Sequence, residues 1–156
     1  MLEYYFMDGE VYAELDTILK QRLGSYKILR TKNGKPYLEG DPLFFSVSHS
    51  SNNGAIVISD KPVGIDIEYK KDRNFRVISK RFSERERSEI NCLDDFLKHW
   101  IIRESYIKMK GFTLADKLFK CEYFGGVFYD CGKAVDCEFL SGVNDSLLWC
   151  ICIDNK

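Results

Sequence analysis

The stretch Val63-Gly64-Ile65-Asp66-Ile67-Glu68-Tyr69 decides the reading of this 156-residue chain. Apolar residues alternate with others, which is the period of a strand. Val63, Ile65, Ile67 and Tyr69 fall on one face and suit a core. Gly64, Asp66 and Glu68 fall on the other, with Gly64 leaving space beside two carboxylates that point the same way. Their mutual repulsion needs an offset, and a hard divalent cation supplies one. A solvated polar strand face accounts for the same pattern.

Toward the C-terminus, Trp100-Ile101-Ile102-Arg103-Glu104-Ser105-Tyr106-Ile107-Lys108-Met109-Lys110-Gly111 has helical spacing, with Trp100, Glu104 and Lys108 on one face. Glu104 and Lys108 form either an exposed i,i+4 ion pair or, with Trp100 covering them, part of a site. Toward the N-terminus, Gly34-Lys35-Pro36 is turn chemistry that presents Lys35 as a point charge for a phosphate. Phe44 to Ser50 reads as a strand ending in Ser48-His49-Ser50, a set of hydroxyl and imidazole donors. Adjacent strand residues point to opposite faces, which disfavours a nucleophilic Ser–His pair.

The rest of the chain reads as βα-βββ-αα(α)-ββββ. The expected elements are a strand at 4–7, a helix from Glu10 to about Leu29 weakened at Gly24, and strands at 44–48, 54–59 and 63–69. Helices follow at 75–80 and 83–91 and from Asp94 or Asp95 to Lys110, then strands at 121–124, 127–129, 134–139 and 147–153. The class is α+β with largely antiparallel sheets.

Formal net charge is −1, which argues against a general nucleic-acid binder. No run is long and apolar enough to span a bilayer. The start lacks the pattern of a signal peptide. The expectation is therefore a cytoplasmic protein in which all six cysteines are reduced. Two histidines are too few for a His-rich metal site.

Taken together and in order, Gly34-Lys35-Pro36, Ser48-His49-Ser50, Gly64-Ile65-Asp66-Ile67-Glu68 and Trp100 to Gly111 resemble the motifs of the 4′-phosphopantetheinyl transferase superfamily, in its Sfp-type branch. The resemblance covers about half the chain. It implies two similar small lobes related by a pseudo-twofold axis, each an antiparallel sheet packed with a helix. Here lobe 1 is about 1–62 and shortened, and lobe 2 is about 63–156. It implies magnesium, or manganese, held by Asp66, Glu68 and Glu104. Glu104 is then also the base, and Lys108 the lysine at the pyrophosphate. Lys35, Pro36, Ser48 and His49 contact coenzyme A, the substrate. The implied partner is an acyl or peptidyl carrier protein and the implied state a monomer.

Several positions depart from the family pattern. Arg103 stands where lysine is usual, and Thr113 replaces a glycine. Glu86 matches a further acidic position, although Ser83-x-x-Glu86 also reads as a capping box. Lys20, Arg22 and Arg30 are candidates for the 3′-phosphate. The basic residues Lys70, Lys71, Arg73, Arg76, Lys80, Arg81, Arg85 and Arg87 either steer an acidic carrier or line a solvated face. A metal-dependent phosphohydrolase, a binding-only relative and the trimeric holo-acyl-carrier-protein-synthase branch are the rival readings.

Overall fold

The computed structural model describes residues 1–40, 43–71 and 74–156. The first half of the chain folds as β1 (Leu2–Asp8), α1 (Val11–Leu23), β2 (Ile28–Arg30), β3 (Pro36–Leu38), β4 (Phe44–Ser50), β5 (Asn53–Ser59) and β6 (Val63–Tyr69). The second half is α2 (Phe75–Ser79), α3 (Glu84–Arg87), α4 (Leu93–Lys110), α5 (Leu114–Lys117), β7 (Cys121–Phe124), β8 (Val127–Asp130), β9 (Lys133–Ala134), β10 (Cys137–Asn144) and β11 (Leu147–Asp154). The α+β class expected from the sequence is what forms.

Two antiparallel three-stranded sheets, ordered β1-β5-β4 and β10-β11-β6, make the centre. Strand alternation gives each sheet two apolar faces. On β5, Ile56 and Ile58 pack under Val11, Leu15 and Leu19 of α1, while Ala55 and Val57 meet Val63, Ile65 and Ile67 of β6. On the far side of the second sheet, Leu148, Cys150 and Cys152 pack under Leu97, Ile101 and Tyr106 of α4. The order of layers is helix, sheet, sheet, helix. Cys150 and Cys152 are interior strand residues, and all six thiols are free.

Gly64 lets α4 lie directly on β6. A Cβ there would stand 2.1 Å from the Ser105 carbonyl oxygen and 2.4 Å from the Met109 nitrogen. The space beside the two carboxylates that the sequence suggests at Gly64 is therefore filled by helix backbone. α4 starts under a capping box in which the Asp95 carboxylate accepts from the Cys92 and Asn91 amides. It ends at Gly111, which has left-handed φ of 69°.

The structure corrects several boundaries. α1 stops at Leu23 because Gly24 takes φ of 70°, and Ile28 and Leu29 enter the β2–β3 hairpin instead. The helix expected over 83–91 is only α3. The strand expected over 134–139 divides between β9 and β10. Of the basic stretch, Arg73 lies outside the described residues. Lys70 pairs with Asp94 at 2.7 Å, Arg81 stacks 3.6 Å above the Phe119 ring and Arg85 pairs with Glu122, so much of this charge is spent on the protein itself.

Candidate active site

Strand β6 pairs with β11 along one edge only. Along its other edge the amides of Ile65, Ile67 and Tyr69 donate to the hydroxyls of Ser46, Ser48 and Ser50, at 3.2, 3.2 and 3.0 Å. Three alternate residues of β4 thus offer a side-chain oxygen where a neighbouring strand would offer a carbonyl, and among the described residues the two central sheets are joined without backbone pairing. Two of these hydroxyls also turn to the acids. Ser48 Oγ donates to Asp66 Oδ1 at 2.9 Å, and Ser50 Oγ donates to Glu68 Oε2 at 3.2 Å.

From α4, Lys108 Nζ reaches across to Asp66 Oδ1 at 2.6 Å and donates to Ser48 Oγ at 2.9 Å. It does not use its i,i+4 neighbour Glu104, as sequence spacing suggests. A hydroxyl has one proton and two lone pairs, so Ser48 is fully engaged by Asp66, Ile67 and Lys108. Burial raises the Asp66 carboxyl above its ordinary value, opposed by Lys108 and Ser48. Burial, with Asp66 nearby, pushes Glu104 up to about 8.

Asp66, Glu68 and Glu104 line one cavity of about 340 Å³ together with Ser48, His49, Lys108 and Tyr12. Tyr12, Val47 and Lys108 also line an adjoining cavity of about 280 Å³, whose other walls include Arg30, Lys35, Pro36, Phe45, Gly111 and Phe112. The hairpin turn that carries Lys35 docks on the end of α4. Asn33 Nδ2 donates to the Gly111 carbonyl at 2.9 Å, and Lys35 Nζ donates to the Met109 carbonyl at 2.5 Å. An ammonium suits a helix C-terminus, but burial, with Lys110 adding to it, lowers Lys35 to about 8.

Asp66, Glu68, Glu104, Lys108, Lys35, Pro36, Ser48 and His49 each line one of these two cavities. Among the described residues no three acidic, histidine or cysteine side chains are gathered at metal-ligand spacing. The donor set nevertheless fits a hard cation: Asp66 Oδ2 is buried with no hydrogen-bond partner among the described residues, and the Glu68 and Glu104 carboxylates line the same cavity. Of the three basic candidates for the 3′-phosphate, Arg30 lines the Lys35 cavity, whereas Lys20 pairs with Asp16 and Arg22 with Glu3.

Glu86 is neither a member of the site nor half of a reciprocal cap. Ser83 Oγ accepts from the Glu86 amide, but the Glu86 side chain is buried against the Arg103 guanidinium and His99 Nδ1. Arg103 also donates to the carbonyls of Leu118 and Cys121, at 3.1 and 3.0 Å, and lies 3.9 Å from the Phe82 ring centre. A lysine has no planar fork for that set, which accounts for arginine here.

Tyr12 and Asn33 were not singled out by sequence. Tyr12 lies off the buried face of its helix and is exposed, and Asn33 is a turn residue, so neither carries a local signal of its place.

Comparison with known proteins bears on the same span. The family model described as the 4′-phosphopantetheinyl transferase superfamily matches residues 62–124, which contain Asp66, Glu68, Glu104 and Lys108. The chain is 32% identical over 116 residues to the 4′-phosphopantetheinyl transferase gsp of Aneurinibacillus migulanus, covering 69% of this chain and 48% of that protein. It is 34% identical over 85 residues to a 4′-phosphopantetheinyl transferase of Bacillus subtilis, covering 50% and 38%. To the L-aminoadipate-semialdehyde dehydrogenase-phosphopantetheinyl transferase of Xenopus laevis it is 32% identical over 115 residues, covering 60% and 38%. The chain spans less than half the length of each of these relatives.

Proposed function

Since the chain belongs to the 4′-phosphopantetheinyl transferase superfamily, we propose that it moves the 4′-phosphopantetheine arm of coenzyme A onto a serine of an acyl or peptidyl carrier protein, releasing adenosine 3′,5′-bisphosphate. The observation that carries this reading is the meeting of Asp66, Glu68, Glu104 and Lys108 on one cavity that adjoins the cavity of Lys35.

Asp66, Glu68 and Glu104 would hold a magnesium ion, or manganese on the same oxygen donors. Bound there, it supplies positive charge against the pyrophosphate. Glu104 takes the proton of the carrier serine hydroxyl, a role that favours a carboxylate whose pKa is raised toward the working pH. The serine oxygen bonds to the β-phosphorus, and the bond from that phosphorus to the bridging oxygen breaks. The electron pair leaves on adenosine 3′,5′-bisphosphate, and Lys108 opposes that charge. Lys35, Arg30 and His49 hold the phosphates of coenzyme A, and Pro36 shapes the turn that presents Lys35. Ser48 can reach a phosphate only by releasing one of its three present partners. The step is phosphoryl transfer, in which positioning and electrostatics dominate.

The two sheet-and-helix halves, about 1–62 and 63–156, are read as the two lobes. A monomer is supported by both walls of the paired cavities coming from one chain. A cytoplasmic site of action is supported by the free thiols. Among the described residues no helix is long and apolar enough to cross a membrane.

The test is to incubate the protein with coenzyme A, magnesium and a panel of apo-carrier proteins, and to weigh the products. A gain of one phosphopantetheine on a carrier serine is expected. Coenzyme A binding with no transfer to any carrier, or hydrolysis without a carrier, overturns the reading.

A further inference from the structure

Ser48 and Ser50 sit at a junction that the proposed chemistry leaves unexplained. Ser46, Ser48 and Ser50 do the same structural work, each accepting one amide of β6. Among the described residues only the last two also donate to a carboxylate, Ser48 to Asp66 and Ser50 to Glu68. The effect on Asp66 is asymmetric. Its Oδ1 is tied by Ser48 and Lys108, while its Oδ2 is buried and has no partner among the described residues. A carboxylate fixed through one oxygen has its rotamer set and keeps the other oxygen available to a further partner. A hydroxyl is well suited to this, because it can accept from the amide that fixes its own place and donate to the acid in the same geometry.

We propose that Ser48 and Ser50 are positioning residues that aim the Asp66 and Glu68 carboxylates with the same hydroxyls that join the two central sheets. The join between the sheets and the aim of the cation ligands are then one structure: parting β4 from β6 releases both acids. This rests on the transferase reading only in taking Asp66 and Glu68 as cation ligands. Partners that orient metal-binding side chains typically contribute about 10–100-fold to metal affinity.

Ser46 provides the internal control, because Ser46→Ala removes an equivalent bond between the sheets at a hydroxyl that, among the described residues, donates to no carboxylate. The experiment titrates magnesium chloride into the full chain by calorimetry and, in parallel, follows amide exchange of β6 by NMR. Ser48→Ala and Ser50→Ala are expected to weaken magnesium by at least ~10-fold, and Ser46→Ala by no more than about twofold. Ser48→Thr, which keeps the hydroxyl, restores wild-type affinity. In Ser48→Ala the Ile67 amide should exchange faster while Ile65 stays protected. Should Ser48→Ala fail to fold, Ser48→Cys keeps the volume with a weak donor and is expected to lose affinity in the same way.

Equal losses from Ser46→Ala and Ser48→Ala would mean that the serines only hold the sheets together, and the proposal falls. Unchanged affinity in both Ser48→Ala and Ser50→Ala overturns it as well. Wild-type protein that takes up no magnesium refutes the assignment of the acids as ligands, a failure distinct from loss of the difference between variants.

Discussion

Gly64→Ala adds one methyl group where α4 lies on β6. The new Cβ would meet the Ser105 oxygen at 2.1 Å, against the 3.4 Å at which ordinary contact begins, a shortfall of about 1.3 Å. The obstacle is helix backbone and not the end of a flexible side chain, so no rotamer change relieves it. Either α4 withdraws as a body or β6 bends away, and both uncover apolar surface between Leu97, Ile101 and Tyr106 and the second sheet. Overpacking of a core typically costs ~1–3 kcal/mol, and an obstacle of backbone on two sides puts this case at the upper end, about 3 kcal/mol or more. For a chain of this length that corresponds to a Tm lower by roughly 6–12 °C.

Two measurements follow from the same displacement. Thermal unfolding read by circular dichroism should show the loss of Tm, and Gly54→Ala is the calibrating variant. Its Cβ would meet only side-chain atoms of Val11 and Met7, at 3.0–3.3 Å, so its loss should be well under half as large. Glu104 and Lys108 ride on α4, and misplacement of a reacting group by about 1 Å can cost ~10²-fold in rate. Carrier modification should therefore fall even at temperatures where Gly64→Ala is fully folded. A Tm within 2 °C of wild type, or no lower than that of Gly54→Ala, would refute the direct contact of helix and strand on which this reasoning stands.

Arg103→Ala should destabilise by ~3–5 kcal/mol in chemical denaturation, because it leaves Glu86 buried without its guanidinium; removing both charges with Arg103→Met and Glu86→Leu should cost less than the single change. Coenzyme A affinity should fall as pH rises through about 8, where the free Lys35 loses its proton. A phosphate beside it favours the charged form, so binding above that pH must take up a proton, with a slope of at most about tenfold per pH unit. Calorimetry in the Lys35→Arg variant should show no such slope. Glu104→Gln keeps the shape of α4, so Tm should hold while transfer slows by at least ~10²-fold, and coenzyme A affinity should fall less because Lys35 and His49 remain. Transfer by Glu104→Gln at the wild-type rate would remove Glu104 from the mechanism.

What the sequence disclosed depended on whether a residue's partner was near in sequence or far. The alternation through 63–69 and the helical spacing up to Gly111 are local, and both elements form where they were expected. The short β2–β3 hairpin and α5 were not read, because three or four residues carry too little periodicity to register. Gly64 looked like space because a strand shows its own alternation but not the helix that will cover it. Ser48-His49-Ser50 looked like a set of donors for a ligand, whereas the hydroxyls of Ser48 and Ser50, with that of Ser46, serve β6. That use follows from placing two strand edges side by side, which the sequence of either strand cannot specify. The same holds for Glu86, whose capping-box spacing is local and whose true partners, Arg103 and His99, are on another helix.

The choice made by Lys108 shows how burial sorts these charges. Glu104 is one turn away on the same helix, yet Lys108 bonds Asp66 across the gap between elements. Asp66 is the more deeply buried acid, only 3% exposed, and a carboxylate gains most from a cation where water solvates it least. Ser48 adds a second bond for the ammonium and a donor for the acid, so the cross-element pair satisfies three groups where an exposed i,i+4 pair satisfies two. This leaves Glu104 without a direct bond to the lysine, whose charge opposes the shift only in part, and burial beside Asp66 holds it up to about 8. Had Lys108 paired with Glu104 instead, that ion pair would have pulled the carboxyl down and made it a weaker base. The arrangement that makes Asp66 tolerable in the interior is therefore the one that leaves the Glu104 carboxyl raised while no cation is bound.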